Sequence, residues 1–219
     1  MSSKAQDLTT KVNAELDAGK KAFNDAMAIA QKQIDVATAE ANKLRATLKT
    51  ETDEAKTKTM ARIDELTKNL DATRKQQQTE IDARLKALHT SLESINTELK
   101  NASAEGKVAL EAKAKAAREE YDNVRRTLTA SLEAELVEWK ARIGAAVDAA
   151  AAKKAAAKTA IQAKIAEAQT KHDAAQKKLQ SLKQASTVAF GELQHGVRTA
   201  IGEVKTALQH ARADIAGAS

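Results

Sequence analysis

The sequence predicts an all-α protein, built as an elongated antiparallel helical hairpin or coiled coil. Three observations carry that expectation. Proline is absent and only seven glycines occur in 219 residues. The bulk of the chain is Ala, Lys, Glu, Gln, Leu and Arg, the residues with the best intrinsic helix propensity. The large apolar residues recur at alternating steps of three and four, which is the spacing of a narrow coiled-coil seam.

In chain order, the first stretch of seam is the loosest: Leu8, Val12, Leu16, Phe23, Met27, Ile34, Ala41, Leu44 and Leu48. Over residues 49–59, KTETDEAKTKT, it loses its large side chains altogether. It resumes clearly at Ile81, Leu85, Leu88, Leu92, Ile95 and Leu99. Within this part Gln76, Gln77 and Gln78 form an amide cluster, with Gln77 on the seam and facing Leu136 in a hairpin. A buried amide there can fix register, and an imperfect seam explains the cluster equally well.

A single helix of this length would run about 330 Å, so a turn is needed. The best candidate is NASAEGK, residues 101–107 at the centre of the chain. Asn101 can end a helix, Ser103 can cap the next, Glu105 suits a first turn, and Gly106 tolerates the φ of a reversal. The expectation is therefore one elongated domain, with arm 1 over about 4–101, the turn over about 101–107 and arm 2 over about 107–216. Folding there faces Leu85 with Leu128, Leu92 with Tyr121, Leu70 with Ile143 and Phe23 with Phe190.

Arm 2 continues with Tyr121, Val124, Leu128, Leu132, Leu136, Trp139, Ile143 and Val147, and ends with Phe190, Leu193, Val197, Ile201, Val204, Leu208, Ala211 and Ile215. Between these runs lies GAAVDAAAAKKAAAKTAIQAK, residues 144–164. Its Val147, Ala151, Lys154, Lys158, Ile161 and Ile165 keep the phase as a thin, partly charged seam. The weak stretches at 49–59 and 144–164 face one another in the hairpin, and both are places to bend. The alternative is thus a four-helix bundle of helices of about 50 residues, each about 75 Å long. Narrow seams suit two strands better than four, which favours the hairpin.

Composition limits what such helices can do. Leu, Ile, Val, Met and Phe make up about a fifth of the chain, and the aromatics are Phe23, Tyr121, Trp139 and Phe190 alone. At about 25 cal/mol per Å² of buried apolar surface, this set fills a seam and not a thick core. Cysteine is absent, which removes disulfides and thiolate chemistry. The first residues, MSSKAQDLTTKV, hold no apolar signal core, and no run of about 18 apolar residues occurs, so a cytoplasmic protein is expected.

The net charge of +6 lies entirely in the second half of the chain. Between residues 140 and 183, ten bases stand against Asp148, Glu167 and Asp173. Lys153, Lys154, Lys158 and Lys164 are the candidate contacts for an anionic partner. Clustered bases are what phosphate binding needs, but arginines are few and no aromatics are interleaved for stacking. The rival reading gives these lysines intramolecular partners in Glu51, Asp53 and Glu54.

Groups able to do chemistry are scattered. Glu192 and His195 have the Glu-x-x-His spacing of di-metal helical bundles, but that site needs a second such pair and further carboxylates, and the sequence has no second pair. His172 continues the seam of Ile161, Ile165 and Ala168 and reads as a polar seam residue, pH-sensitive if buried. His89 and His210 stand alone. No phosphate loop, nucleophile elbow, HExxH or EF-hand loop occurs. Neither cofactor, metal, small-molecule substrate nor catalysis is expected.

In composition and periodicity the proline-free, alanine- and lysine-rich pattern resembles late-embryogenesis-abundant proteins, exchangeable apolipoproteins and the phasins that coat polyester granules. No diagnostic motif of any of them is present, and no membership follows. Three functions remain open. The first is a non-catalytic scaffold or spacer that pairs with helical partners or itself. The second is an amphipathic coat on a lipid or granule surface, for which the segment 188–215 is the best candidate. The third, disfavoured, is weak nucleic-acid binding through residues 140–183.

Overall fold

The computed structural model describes residues 3–48, 50, 53–151, 153 and 155–217. Among these residues the chain forms five helices and no strand: α1 (Ser3–Thr47), α2 (Asp53–Asn101), α3 (Ala104–Ala151), α4 (Ala155–Lys183) and α5 (Thr187–Gly217). The protein is all-α, as composition and periodicity require.

The central turn falls where local chemistry puts it, but tighter. Only Ala102 and Ser103 leave the helix. The Ser103 hydroxyl accepts the Gly106 amide at 3.4 Å and its carbonyl accepts the Lys107 amide at 2.9 Å, so Ser103 is the N-cap of α3. Gly106 lies inside α3, and no glycine among the described residues has a positive φ. The reversal therefore does not use glycine's conformational freedom.

Two uninterrupted arms are not confirmed. α1 ends at Thr47 and α2 starts at Asp53, α3 ends at Ala151 and α4 starts at Ala155, and a further break lies at 184–186. α1 folds back onto α2, and α5 onto α4. The helices α1, α2 and α3 have 45, 49 and 48 residues, close to the four-helix alternative, but the last quarter is divided into 29 and 31.

The chemistry of these breaks differs. At the end of α1 the Thr47 hydroxyl donates to the Leu44 carbonyl at 2.9 Å, and that of Thr50 to the Thr47 carbonyl at 3.0 Å. The same two carbonyls also accept the amides of Leu48 and Thr50, at 3.2 and 3.0 Å, so the threonines add a second bond to each. At 184–186 the amides of Gln184 and Ala185 close three-residue turns on Ser181 and Leu182, and Ser186 caps α5 through the Ala189 amide at 3.4 Å. Past the end of α3 the Lys153 amide closes a three-residue turn on the Ala150 carbonyl at 3.2 Å.

The chain divides into two compact units, Met1–Leu128 and Thr129–Ser219. The first holds α1, α2 and the start of α3. Its core is Phe23, Met27, Ile34 and Ala41 of α1, Ile63, Leu66, Leu70, Ile81, Leu85, Leu88 and Ile95 of α2, and Ala114, Ala117, Tyr121, Val124 and Leu128 of α3. α1 and α2 run antiparallel, with Arg62 of α2 at 3.0 Å from Glu40 of α1. Arg84 of α2 pairs with Glu120 of α3. That pairing excludes the register that would set Leu85 against Leu128. The side chains of Leu8, Val12 and Leu16 lie outside the described residues.

The second unit holds the rest of α3 with α4 and α5. Leu132, Leu136, Trp139 and Ile143 of α3 are buried with Ile161, Ile165, Ala168, Leu179 and Leu182 of α4 and Phe190, Val197, Ile201, Val204 and Leu208 of α5. After Ile143 the seam steps by three to Ala146 and then to Ala150, both buried, while Val147 is exposed. The expected phase through Val147 and Ala151 is therefore displaced by one residue.

The covered face of α3 is wider than a two-stranded hairpin requires. Glu135, Leu136, Glu138, Trp139, Arg142 and Ile143 are all buried, so the covered face is far wider than two positions in seven. A face that wide takes more than one neighbouring helix. Counting only apolar residues hid its true width.

Candidate functional site

α3 and α4 form the contact in the second unit where polar groups gather. His172 of α4 is buried, and its Nε2 lies 2.9 Å from the carbonyl oxygen of Leu136 on α3. A carbonyl can only accept, so Nε2 carries the proton. Nδ1 faces the exposed carboxylate of Asp173 at 3.4 Å. One turn back along α3, Glu133 accepts Lys183 of α4 at 2.7 Å. The expectation for His172 as a polar seam residue agrees with its place.

Beside these contacts runs a groove of about 520 Å³ lined by Glu133, Leu136, Val137, Asp173, Lys177 and Gln180, among others. Of its carboxylates, Glu133 is engaged by Lys183, and Asp173 is open to solvent beside His172. Val137 projects into solvent at its rim, 64% exposed. The groove therefore sets an apolar spot among amide and charged side chains.

On α3 itself four side chains form a buried polar strip. The Trp139 indole N–H donates to Glu135 at 3.4 Å, and Arg142 donates through Nε to Glu138 at 2.8 Å and through Nη2 to the same oxygen. The Arg142 guanidinium also sits 4.2 Å from the centre of the Trp139 ring. Spacings of three and four residues put all four on one helix face. Glu135, Glu138 and Arg142 are residues the sequence reading passed over. The visible signal was Glu-x-x-Glu-Trp-x-x-Arg, with charges placed beside the only tryptophan.

Three of the four candidate lysines, Lys153, Lys158 and Lys164, are among the described residues. Lys164 of α4 is bound to Asp214 of α5 at 2.6 Å. Lys158 is half-buried on α4 and Lys153 half-buried at the break. Lys154 lies outside the described residues, as do Glu51 and the side chains of Asp53 and Glu54, its expected partners. Further along α4, Lys171 pairs with Glu167 at 2.9 Å; this bond holds the Glu167 carboxyl below the ordinary range and the Lys171 ammonium above it. The basic stretch is thus laced with carboxylates from its own and neighbouring helices.

The remaining histidines are exposed. His89 lies 3.3 Å from Glu93, and Glu192 and His195 both face solvent. No group of three or more metal-binding side chains occurs among the described residues. Gln77 is buried on α2, which fits its expected seam position. Among the described residues no helix is long and apolar enough to cross a membrane.

No family model, no curated protein and no solved structure matches this chain.

Proposed function

We propose that the chain is a non-catalytic structural or interaction protein, a helical scaffold or spacer that engages helical partners or further copies of itself. One observation carries this reading. Two ion pairs lie along helix seams, Arg84 with Glu120 and Arg142 with Glu138, and Glu133 of the groove is tied to Lys183. General acid-base work needs such groups presented to a substrate. Rigid length is what remains: the 49 residues of α2 alone span about 74 Å. Small-angle scattering at two concentrations tests the proposal. A maximum dimension well beyond that of a sphere of this mass supports a spacer, and a near-spherical particle overturns it.

A second reading, a coat on a lipid or granule surface, has Ile29 and Val36 in its favour. Both are 61% exposed and seven residues apart, hence on one stripe of α1. The apolar face of α5, in contrast, is buried from Phe190 to Ile215 and would have to detach. Co-flotation with phosphatidylcholine vesicles would select this reading over the scaffold. Binding of nucleic acid through the basic stretch is weakened by the ion pairs of Lys164, Lys171 and Lys183, and a gel shift at low salt checks it.

A further inference from the structure

Gly19 stands in the middle of α1, where glycine weakens a helix and no turn requires it. It is the only glycine before Gly106. The structure supplies a reason. A Cβ built on Gly19 would lie 2.5 Å from Nη1 of Arg84, 3.1 Å from its Cζ and 3.2 Å from Nη2. The guanidinium of α2 lies against the backbone of α1 and ends on Glu120 of α3, donating through Nε at 2.8 Å and through Nη2.

The end of a free arginine could swing aside. This one is held: its side chain is 15% exposed and that of Glu120 is 8% exposed, and its Nε and Nη2 both donate to that carboxylate. Displacing it strands a carboxylate in a nearly dry place.

We infer that Gly19, Arg84 and Glu120 form a register lock, a device that selects one alignment of α1 on α2 and α3 from alternatives the seam itself does not distinguish. The seam of α1 is built from Phe23, Met27, Ala30, Ile34, Ala41 and Leu44, and a heptad slip replaces all but one of them with another apolar residue. The lock does distinguish them. Slipping α1 by three, four or seven residues brings Leu16, Ala22, Glu15, Phe23, Val12 or Ala26 to the place of Gly19. Every one of them carries a Cβ that meets the guanidinium. The proposal concerns the fold alone and stands whichever function the chain performs.

A double-mutant cycle tests it. G19A is made in the native chain and in the R84M/E120Q chain, and thermal unfolding is followed by circular dichroism. The lock requires opposite signs: G19A lowers the midpoint in the native chain, and raises it where the guanidinium is gone, because alanine then supplies only its better helix propensity. The same sign in both backgrounds overturns the proposal. Register is read separately. The chain has no cysteine, so E40C and R62C introduce the only pair for a short bis-maleimide across the 3.0 Å contact of Glu40 and Arg62. Efficient linking in the otherwise native chain and loss of most of it on adding G19A supports the lock, and unchanged linking in the G19A chain overturns its role in register.

Discussion

His172 of α4 donates its Nε2 proton to the carbonyl oxygen of Leu136, 2.9 Å away on α3, from a position 3% exposed. The acceptor sits mid-helix and keeps its place in the helical ladder, so removing the imidazole leaves no orphan. His172→Leu, which refills the space, is therefore expected to cost less than about 1 kcal/mol, and His172→Ala about 2 kcal/mol through the lost bond and the void. Urea unfolding monitored by Trp139, the only tryptophan, measures both. Equal losses would show that the hydrogen bond outweighs the packing.

The pair of Glu138 and Arg142 behaves differently, because both ends are buried. Arg142→Ala leaves a carboxylate in the core and is expected to cost about 3–5 kcal/mol, whereas replacing both by apolar residues of similar size is near neutral. Arg142→Ala also uncovers the Trp139 ring, so its fluorescence changes in the folded state. A mild single variant and a damaging double one would contradict this.

Burial raises the pKa of Tyr121, the only tyrosine, above its ordinary 10.0, with Arg125 opposing and Asp122 assisting. The phenol is favoured over the phenolate in the folded chain. Its contribution is complete below pH 10 and is lost as pH rises through the raised value. Phenolate absorbance should appear at higher pH in the folded chain than in urea, and Tyr121→Phe should flatten the alkaline stability loss.

Glu167 shows the opposite sign. Its hydrogen bond from Lys171 lowers its pKa below 4.5, so its contribution is present above that value and lost as pH falls through the depressed one. The pair is exposed on one helix, and its effect should be small and screened by salt. Helicity of Glu167→Gln and the native chain should converge on acidification, and a difference that grows instead would refute the assignment.

Gly191 and Gly202 lie in α5 with open space where a Cβ would go. Alanine at each is expected to stabilise by about 0.5–1 kcal/mol through propensity and a less flexible unfolded chain. A loss at these positions would show that another surface approaches α5 closely.

Much of the local structure is legible in the sequence, and its failures are instructive. Ser103 reads as a cap and is one, because a hydroxyl three residues ahead of an amide is a local relation. Ser186 caps α5 in the same way but was hidden by the apolar run that follows. The polar strip from Glu135 to Arg142 was missed because charged residues beside a seam are ordinarily solvated, and only a second helix neighbour buries them. The partner of Lys164 was hidden for the complementary reason: Asp214, which engages it, is fifty positions away.

Helix throughout, the break near Ser103 and the identity of most core residues follow from composition, propensity and periodicity, which act over a few residues. Where the other helices end, which helix each one meets and at what register do not. Alanine-rich seams of one period fit many alignments with similar burial, so the choice passes to contacts between distant residues. Arg84 against Gly19 and His172 on the Leu136 carbonyl are two of them.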